Sequence, residues 1–440
     1  MPYPAGGMPP RPPKRTTGKV AALVTVAVVG VAVLALAAYL LLPFDGEKKD
    51  DLPANALSQE WSVPVSVSHR TPRPLIPLPG MWFLGDAVVV GDARLGLRAY
   101  DHRTGKQLWE LERPESAGEL CGMSPTIASG TGAVAFDAGG DNCGVLAAVE
   151  TDTGEVLWAR RTEDRGSAQE LVEINSETVV TTAGGYTRAY DVRTGEERIV
   201  PQARGRHCGT YLAPSRRYII VTSSCSDATP RHQLSVMEAW TGDDDVWRFP
   251  NENLNISRVL SDDPLTAVFE HEDESLEVLV FTDKDHVNAN RILHRLKLTG
   301  PLSAVQIGSA PAYVTEDAVL VAEHRGGNRQ IAVDLKTGKV LWRSPEGQQR
   351  LLGMDSTSDT VLIAHQVPYQ DGRPPHLELV LYKIHSGKRK TVGTLAVRGT
   401  YGLSLFDVTL GWSGGSTIYA LVRSEDGKAT LRAFEGSLSW

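Results

Sequence analysis

The sequence predicts an all-β fold, an eight-bladed β-propeller of four-stranded blades, and three observations lead to it. A short segment recurs along the chain at an interval of about 47 residues. Each copy places alternating apolar residues on both sides of a Gly-containing turn, which is typical of a β-hairpin. A further stretch of period two precedes each hairpin, as in GAVAFDA (132–138) and DAVLVAEH (317–324). One blade per repeat then makes residues 57–440 a single propeller domain.

The recurring segment consists of Ala, one residue, an acidic residue, two residues, Thr-Gly, three residues and usually Trp. Its clearest copies are AYDHRTGKQLW (99–109), AVETDTGEVLW (148–158), AYDVRTGEERI (189–199) and AVDLKTGKVLW (332–342). Weaker copies are VMEAWTGDDDVW (236–247) and LYKIHSGKRKTV (381–392). The acidic side chain is expected to bond to turn amides. The six copies predict turn glycines at Gly105, Gly154, Gly195, Gly242, Gly338 and Gly387.

Two parts of the chain depart from this repeat. Residues 276–298 have two apolar stretches around a polar turn without Thr-Gly, and they predict a degenerate blade. If 250–300 were instead an irregular insertion, the propeller would have seven blades. The last copy, 431–440, is shortened, and LSQEWSVPV (57–65) reads as an outer strand without a hairpin partner. We expect this N-terminal strand to complete the last blade, because closure removes an unpaired sheet edge.

The N-terminal region predicts a membrane anchor. Residues 20–42 are an uncharged apolar run that is long enough to cross a bilayer as a helix. The preceding Pro-rich tail, 1–19, has four basic residues and no acidic one, so we expect it to stay in the cytoplasm, with 43–56 as a linker to an extracytoplasmic propeller. The predicted location is the cytoplasmic membrane, crossed once. A cleaved signal peptide is the alternative, since Ala35-Leu36-Ala37 has the small-x-small pattern.

Charge restricts the class of partner. Beyond the apolar run the chain has 41 Lys and Arg against 53 Asp and Glu, a net charge of −12. Such a surface repels polyanions, so nucleic acid is not an expected partner, and an anionic wall polymer would require a local basic site. The expected partners are the membrane, through residues 20–42, and another envelope protein or an extracellular ligand.

The cysteines are even in number and lie on the predicted exported side, where disulfides form. Cys121 precedes Gly154 by 33 residues and Cys208 precedes Gly242 by 34, so two blades carry a cysteine at the same position. We predict Cys121–Cys143 and Cys208–Cys225. The other two pairings would link separate blades, which is geometrically harder.

The A-x-D-x-x-T-G-x-x-x-W frame resembles the repeat of the pyrroloquinoline-quinone (PQQ) propeller family. This resemblance implies that the repeat tryptophans pack flat against the neighbouring blade, a structural role for Trp109, Trp158, Trp247 and Trp342. The quinone dehydrogenases of the family carry adjacent cysteines and a Glu–Asn–Asp calcium site, and the sequence has no adjacent cysteine pair. We therefore predict no cofactor, and PQQ in particular is not expected.

The sequence matches known catalytic and metal-binding motifs only in part. Residues 411–415 match G-x-S-x-G, but a strand follows where the nucleophile elbow needs a helix. Residues 283–285 open like a calcium loop without its later ligands, and the histidines have no zinc spacing. We predict no catalytic and no metal-binding residues.

The expected function is non-enzymatic binding or scaffolding outside the membrane, through protein–protein interaction or ligand sensing. The chain is similar in this respect to the BamB scaffolds and to the propeller sensors of some receptor kinases. The alternative is an enzyme, a PQQ-dependent dehydrogenase or a propeller hydrolase acting outside the membrane.

Overall fold

The structure is a computed structural model. It describes residues 55–66, 80–111, 113–115, 117–139, 143–162, 171–183, 186–198, 205–215, 217–238, 245–250, 254–273, 275–281, 292–298, 305–306, 312–323, 329–355, 359–369, 375–396, 405, 408–412, 414–423 and 428–439. No helix within these ranges is long and apolar enough to span a bilayer. The predicted tail, span and linker through residue 54 lie outside them.

The described residues form strands in eight sheets, as the repeat count predicts. Strand β1 is Ser58–Val65. Blade 1 contains β2 (Met81–Phe83), β3 (Ala87–Asp92), β4 (Gly96–Asp101) and β5 (Gln107–Glu110). Blade 2 contains β6 (Leu120–Met123), β7 (Thr131–Phe136), β8 (Val145–Glu150) and β9 (Val156–Arg161). Blade 3 contains β10 (Leu171–Ile174), β11 (Thr178–Ala183) and β12 (Tyr186–Asp191). Blade 4 contains β13 (Cys208–Pro214), β14 (Tyr218–Cys225), β15 (His232–Glu238) and β16 (Asp245–Pro250).

The second half of the chain continues the pattern. Blade 5 contains β17 (Leu254–Asp262), β18 (Leu265–His271), β19 (Leu276–Phe281) and β20 (Ile292–Lys297). Blade 6 contains β21 (Val305–Gln306), β22 (Tyr313–Val314), β23 (Ala318–Glu323), β24 (Arg329–Asp334) and β25 (Val340–Arg343). Blade 7 contains β26 (Gln349–Asp355), β27 (Thr360–Val367), β28 (His376–Lys383) and β29 (Arg389–Leu395). Blade 8 contains β30 (Val408–Trp412), β31 (Thr417–Arg423) and β32 (Ala429–Glu435), which pairs with β1.

The core lies between blades. The two middle strands of a blade are covered on both faces, so β3 (AVVVGD) is buried throughout, whereas the outermost strand β5 (QLWE) is largely exposed. Strands covered on both faces favour continuous apolar runs over strict alternation. Among the described residues, one hydrophobic cluster lies within blade 4 and the others join neighbouring blades, as where Val278 and Val280 of blade 5 meet Val319 and Val321 of blade 6. Apolar burial of this kind supplies most of the stabilisation of the ring.

Blade number and closure agree with the eight-blade prediction. The degenerate segment forms β19 and β20, which pair Val278 with Leu296, so the seven-blade alternative is wrong. Strand β1 pairs antiparallel with β32 from Ser58↔Glu435 to Val65↔Ala429. The predicted closure by the N-terminal strand is therefore confirmed, and the edge of β32 is covered.

Blades 3 and 6 differ from the simple four-stranded unit. Three strands of blade 3 are described, and Glu197 adds one further bridge, to Tyr190 of β12. In blade 6 the innermost position is shared by two short strands, β21 and β22, which both pair with β23.

Both predicted disulfides are confirmed. Cys121 in β6 bonds to Cys143, just before β8, and Cys208 bonds to Cys225 directly opposite it on β14. Each bond stays within one blade and closes a loop of about 20 residues, for which the chain-entropy model gives about 3 kcal/mol.

Candidate functional site

The repeated turn is held by its acidic residue. In blade 1 the Asp101 carboxylate accepts hydrogen bonds from the Thr104 hydroxyl (2.7 Å) and from the amides of Thr104 (2.8 Å) and Arg103 (3.1 Å). The amide of Gly105 donates to the Asp101 carbonyl at 2.9 Å. The bonds from Thr104 lower the pKa of Asp101, because they favour its charged form. The sequence signature Asp-x-x-Thr-Gly is thus a local device that closes one hairpin.

The same turn also joins one blade to the next, and we call this contact a joint. Five repeat glycines take positive φ, which L-residues avoid: Gly105 (+67°), Gly154 (+76°), Gly195 (+68°), Gly338 (+68°) and Gly387 (+64°). At four of them the preceding blade places an indole against the missing side chain. A Cβ built on the glycine would lie 2.5–2.7 Å from the indole in the pairs Gly105–Trp61, Gly154–Trp109, Gly195–Trp158 and Gly387–Trp342.

Polar contacts complete these joints. The indole N–H donates to a backbone carbonyl of the next blade in the pairs Trp61–His102 (3.0 Å), Trp158–Val192 (2.9 Å) and Trp342–Ile384 (2.5 Å). A buried indole is stable when its N–H finds such an acceptor. Trp109, Trp158 and Trp342 therefore lie between blades. The Trp247 side chain and Gly242 lie outside what the structure describes.

Two joints contain residues outside the repeated segment. Trp61 of β1 packs against Gly105 as Trp109 packs against Gly154. The sequence contains a signal for this contact, because 57–65 reads as an outer strand. At the blade 7–8 joint, Leu57 fills the space over both Gly393 and Gly436. The Leu57 amide donates to the Thr394 carbonyl at 2.9 Å. The N-terminal segment thus contacts blades 7, 8 and 1.

The blade 6–7 joint contains a buried histidine. Trp342 stacks on Tyr382 with ring centroids 5.1 Å apart, and the hydroxyl of Tyr382 lies 3.2 Å from Nε2 of His365. Burial, with a smaller contribution from the charge of Arg389, lowers the pKa of His365 from 6.5 to about 4.

We therefore expect the free energy of unfolding to fall as the pH is lowered. The folded pKa of His365 lies below its unfolded value, so its contribution is complete above about pH 6.5 and is lost between about pH 6.5 and pH 4. The loss is about 3 kcal/mol, at 1.36 kcal/mol per pKa unit. Urea unfolding of the parent and of His365→Gln across this range measures it. Equal pH dependence in the two proteins would show that another group is responsible.

Among the described residues, no indole lies at the blade 5–6 joint. In blades 1, 2 and 6 the pairing of the two outer strands contains a bulge, and the residue paired next to it on the outermost strand is Trp109, Trp158 or Trp342. In blade 5 the residue at this register position is His294. The side chain that reaches Gly338 is Leu296, whose Cδ1 would lie 3.0 Å from a Cβ there. A groove of about 750 Å³ is left between residues 293–297 and 335–340, and we call it the basic groove.

Its charge differs from that of the protein as a whole. Residues 293–297 and 335–340 include Arg295, Lys297, Lys336 and Lys339 and no acidic residue. The matching groove beside Trp158 has about 400 Å³, and its charged residues are Arg160, Glu196 and Glu197. A net-acidic chain therefore has a local positive surface at the joint that lacks an indole, which raises the local concentration of anions.

Nearby carboxylates compensate only part of this charge. Buried Glu277 lies within 3.3 Å of Nε2 of His271 and 3.8 Å of Nη1 of Arg295. Lys297 is opposite Glu277 in the strand register, yet no ion pair joins them. The Asp334 carboxylate accepts bonds from the Thr337 amide (2.6 Å) and hydroxyl (2.8 Å), with Lys336 nearby. Within the described part of the chain Lys297 and Lys339 form no ion pair.

The described residues do not fit a quinone site of the dehydrogenase type. The cysteines are separated into two bonds on different blades, so they supply no adjacent pair. No group of three or more His, Cys, Asp or Glu side chains in the described ranges is arranged to hold a metal ion. The absence of a cofactor stays a prediction.

The structure does not support a catalytic or metal site at the remaining sequence motifs. The G-x-S-x-G match begins with the last two residues of β30, and Gly414 (φ +90°) lies in the turn to β31, whereas the nucleophile elbow requires a strand-to-helix turn. Ser413 and residues 283–285 lie outside the described residues.

Comparison with known proteins agrees with the propeller fold. A family model described as outer membrane protein assembly factor BamB, of the PQQ repeat type, matches residues 56–249. The crystal structure of BamB from Moraxella catarrhalis is similar, with a TM-score of 0.51, 14% identity, and coverage of 88% of this chain and 99% of that one.

Two further propellers share the fold. The computationally designed Ika8 protein has a TM-score of 0.53, 15% identity, and coverage of 81% of this chain and 96% of that one. The C-terminal WD40 domain of Sif2 has a TM-score of 0.54, 11% identity, and coverage of 87% and 99%. No curated protein matches this sequence. At these identities the similarities establish the fold.

Proposed function

We propose that this chain, a β-propeller of the PQQ-like repeat family, is a non-enzymatic scaffold that binds another protein outside the cytoplasmic membrane. The observation that carries the proposal is the basic groove. It is an open, charged surface between outer strands, at a joint where no indole covers the turn glycine, and it is larger than the groove of about 400 Å³ beside Trp158. Recognition commonly uses surface features that a rigid scaffold positions.

Exposed leucines on the outer strands add to this surface. Leu108, Leu157 and Leu293 are 49%, 42% and 51% exposed. Each directly precedes the residue at the register position of the joint tryptophans, which we call the docking position and which Trp109, Trp158 and His294 occupy. A partner that covers such residues gains about 25 cal/mol per Å² of apolar surface removed from water.

The proposed location follows from the N-terminal sequence. The uncharged run 20–42 and the basic tail before it support a single span with the N-terminus in the cytoplasm. Two disulfides support an oxidising compartment for the propeller.

One experiment tests location and function separately. Leu293→Cys, in the full chain, is treated in spheroplasts of the native host with a membrane-impermeant maleimide that carries a photo-crosslinker. Leu108→Cys and Leu157→Cys are the matched variants, because they stand at the same repeat position on other blades. We expect all three to be labelled, and irradiation to give a discrete adduct from position 293 and less from the other two.

Each result has one meaning. Failure to label any of the three cysteines would contradict an extracytoplasmic propeller. Labelling without a discrete adduct at any position would contradict the scaffold. A stoichiometric chromophore after the full chain is incubated with quinone and calcium would favour the enzyme instead.

A further inference from the structure

The basic groove has the features of a peptide-binding site. We infer that it binds an extended acidic segment of a partner protein, which lies along β20 and places its carboxylates by Lys297, Lys336 and Lys339; this inference rests on the proposed scaffold function. Three independent features of the structure support it.

The first feature is space that the fold itself would otherwise fill. An indole occupies the corresponding position at four other described joints, and at the blade 7–8 joint Leu57 does. At the blade 5–6 joint His294 and Leu296 leave about 750 Å³ open. A groove of this size can take several side chains of a bound segment.

The second feature is the exposed backbone edge. Strand β20 is the outermost strand of blade 5, and among the described residues it pairs only with β19. An edge strand offers N–H and C=O groups to an added strand, and extended peptides commonly bind in this way. The chain shows the same geometry within itself, since β1 adds to β32 and inserts Trp61 into the next joint.

The third feature selects the chemistry of the occupant. Arg295, Lys297, Lys336 and Lys339 line the groove without an acidic neighbour in the lining, so an anionic occupant is favoured. A simple polyanion would use the charges alone. A peptide can also place an apolar side chain against Leu293, which is 51% exposed beside the docking position. Its backbone can form hydrogen bonds with the edge of β20, so a peptide uses more of the groove than a simple polyanion does.

The test uses the full chain in detergent and a fluorescein-labelled peptide of about ten residues that alternates Glu and Val, with anisotropy as the readout. We expect saturable binding that weakens with salt, and no binding of the Lys–Val counterpart. The double variant Lys297→Glu/Lys339→Glu is expected to weaken binding about tenfold or more. Its control, Lys106→Glu/Lys388→Glu, has the same net charge, and each of its lysines follows a turn glycine that an indole covers.

A second variant fills the groove. His294→Trp restores an indole at the docking position, and we expect it to abolish peptide binding while thermal unfolding occurs at the same or a higher temperature. Equal loss in the Lys106/Lys388 control, or undiminished binding by His294→Trp, would overturn the proposal. So would equally strong binding of a Glu–Ser peptide together with tighter binding of polyphosphate, which would assign the groove to anionic polymers. A discrete adduct from position 293 without peptide binding would overturn this inference and leave the scaffold standing.

Discussion

Replacing Gly195 by Ala is expected to lower the free energy of unfolding by about 2–5 kcal/mol. Two costs add at this position. Positive φ (+68°) costs an L-residue about 1–2 kcal/mol. The new Cβ would also lie 2.5 Å from Cδ2 of Trp158, and overpacking of this kind costs about 1–3 kcal/mol. Urea unfolding followed by tryptophan fluorescence measures the sum.

Gly338→Ala is the matched control. Gly338 has the same φ of +68°, but the nearest atom to a new Cβ there is Cδ1 of Leu296, at 3.0 Å, on a flexible side chain. We therefore expect the backbone cost alone, about 1–2 kcal/mol. The difference between the two variants isolates the contact with the indole. Equal losses would show that the tryptophan moves aside at little cost and that the joint is not tightly packed.

Replacing Trp61 by Ala is expected to cost about 3–5 kcal/mol, the usual range for a large buried aromatic side chain. The indole is 8% exposed and covers Gly105. It also contacts Tyr100 and Tyr419, and its N–H donates to the His102 carbonyl at 3.0 Å. Because Trp61 lies on β1, its loss should also weaken the pairing of β1 with β32. Hydrogen exchange of the β1 and β32 amides should accelerate.

Two controls separate packing from closure. Trp61→Phe keeps an aromatic ring and loses the indole hydrogen bond, so we expect a smaller loss, of which the bond accounts for about 1 kcal/mol. Trp109→Ala removes an indole from a joint inside the ring, and it should destabilise the protein without selective exchange in β1 and β32. If Trp61→Ala left exchange in these strands unchanged, the closure would not depend on the tryptophan.

Much of the architecture could be predicted because its determinants are local. The Asp101 carboxylate reaches Thr104 three residues later, so every copy of the motif marks one hairpin wherever it occurs. Spacing between copies then counts the blades, and two cysteines at matching positions relative to Gly154 and Gly242 identify bonds within blades. Even the degenerate blade was predictable from its neighbours, because a ring of regular units leaves one interval to fill.

The candidate site could not be predicted in the same way, because it forms where an indole is missing between two segments that are far apart in the sequence. His294 aligns with the tryptophans only after the strand register and its bulge are known. A comparison of the repeats by sequence shows only that this copy has no Trp. Lys297 and Lys339 are 42 positions apart in the sequence and line one groove. Leu57 reaches Gly436 only because the ring brings the two ends of the domain together.

The sequence alone therefore determined the unit of this protein and its number, since hairpin turns and alternating strands follow from residues close together in the chain. Tertiary structure decided how the units meet: which joints an indole fills, which a leucine from the N-terminal segment fills, and which one stays open. The physical reason is that packing between blades depends on the shapes of side chains far apart in sequence, and local propensity does not encode those shapes.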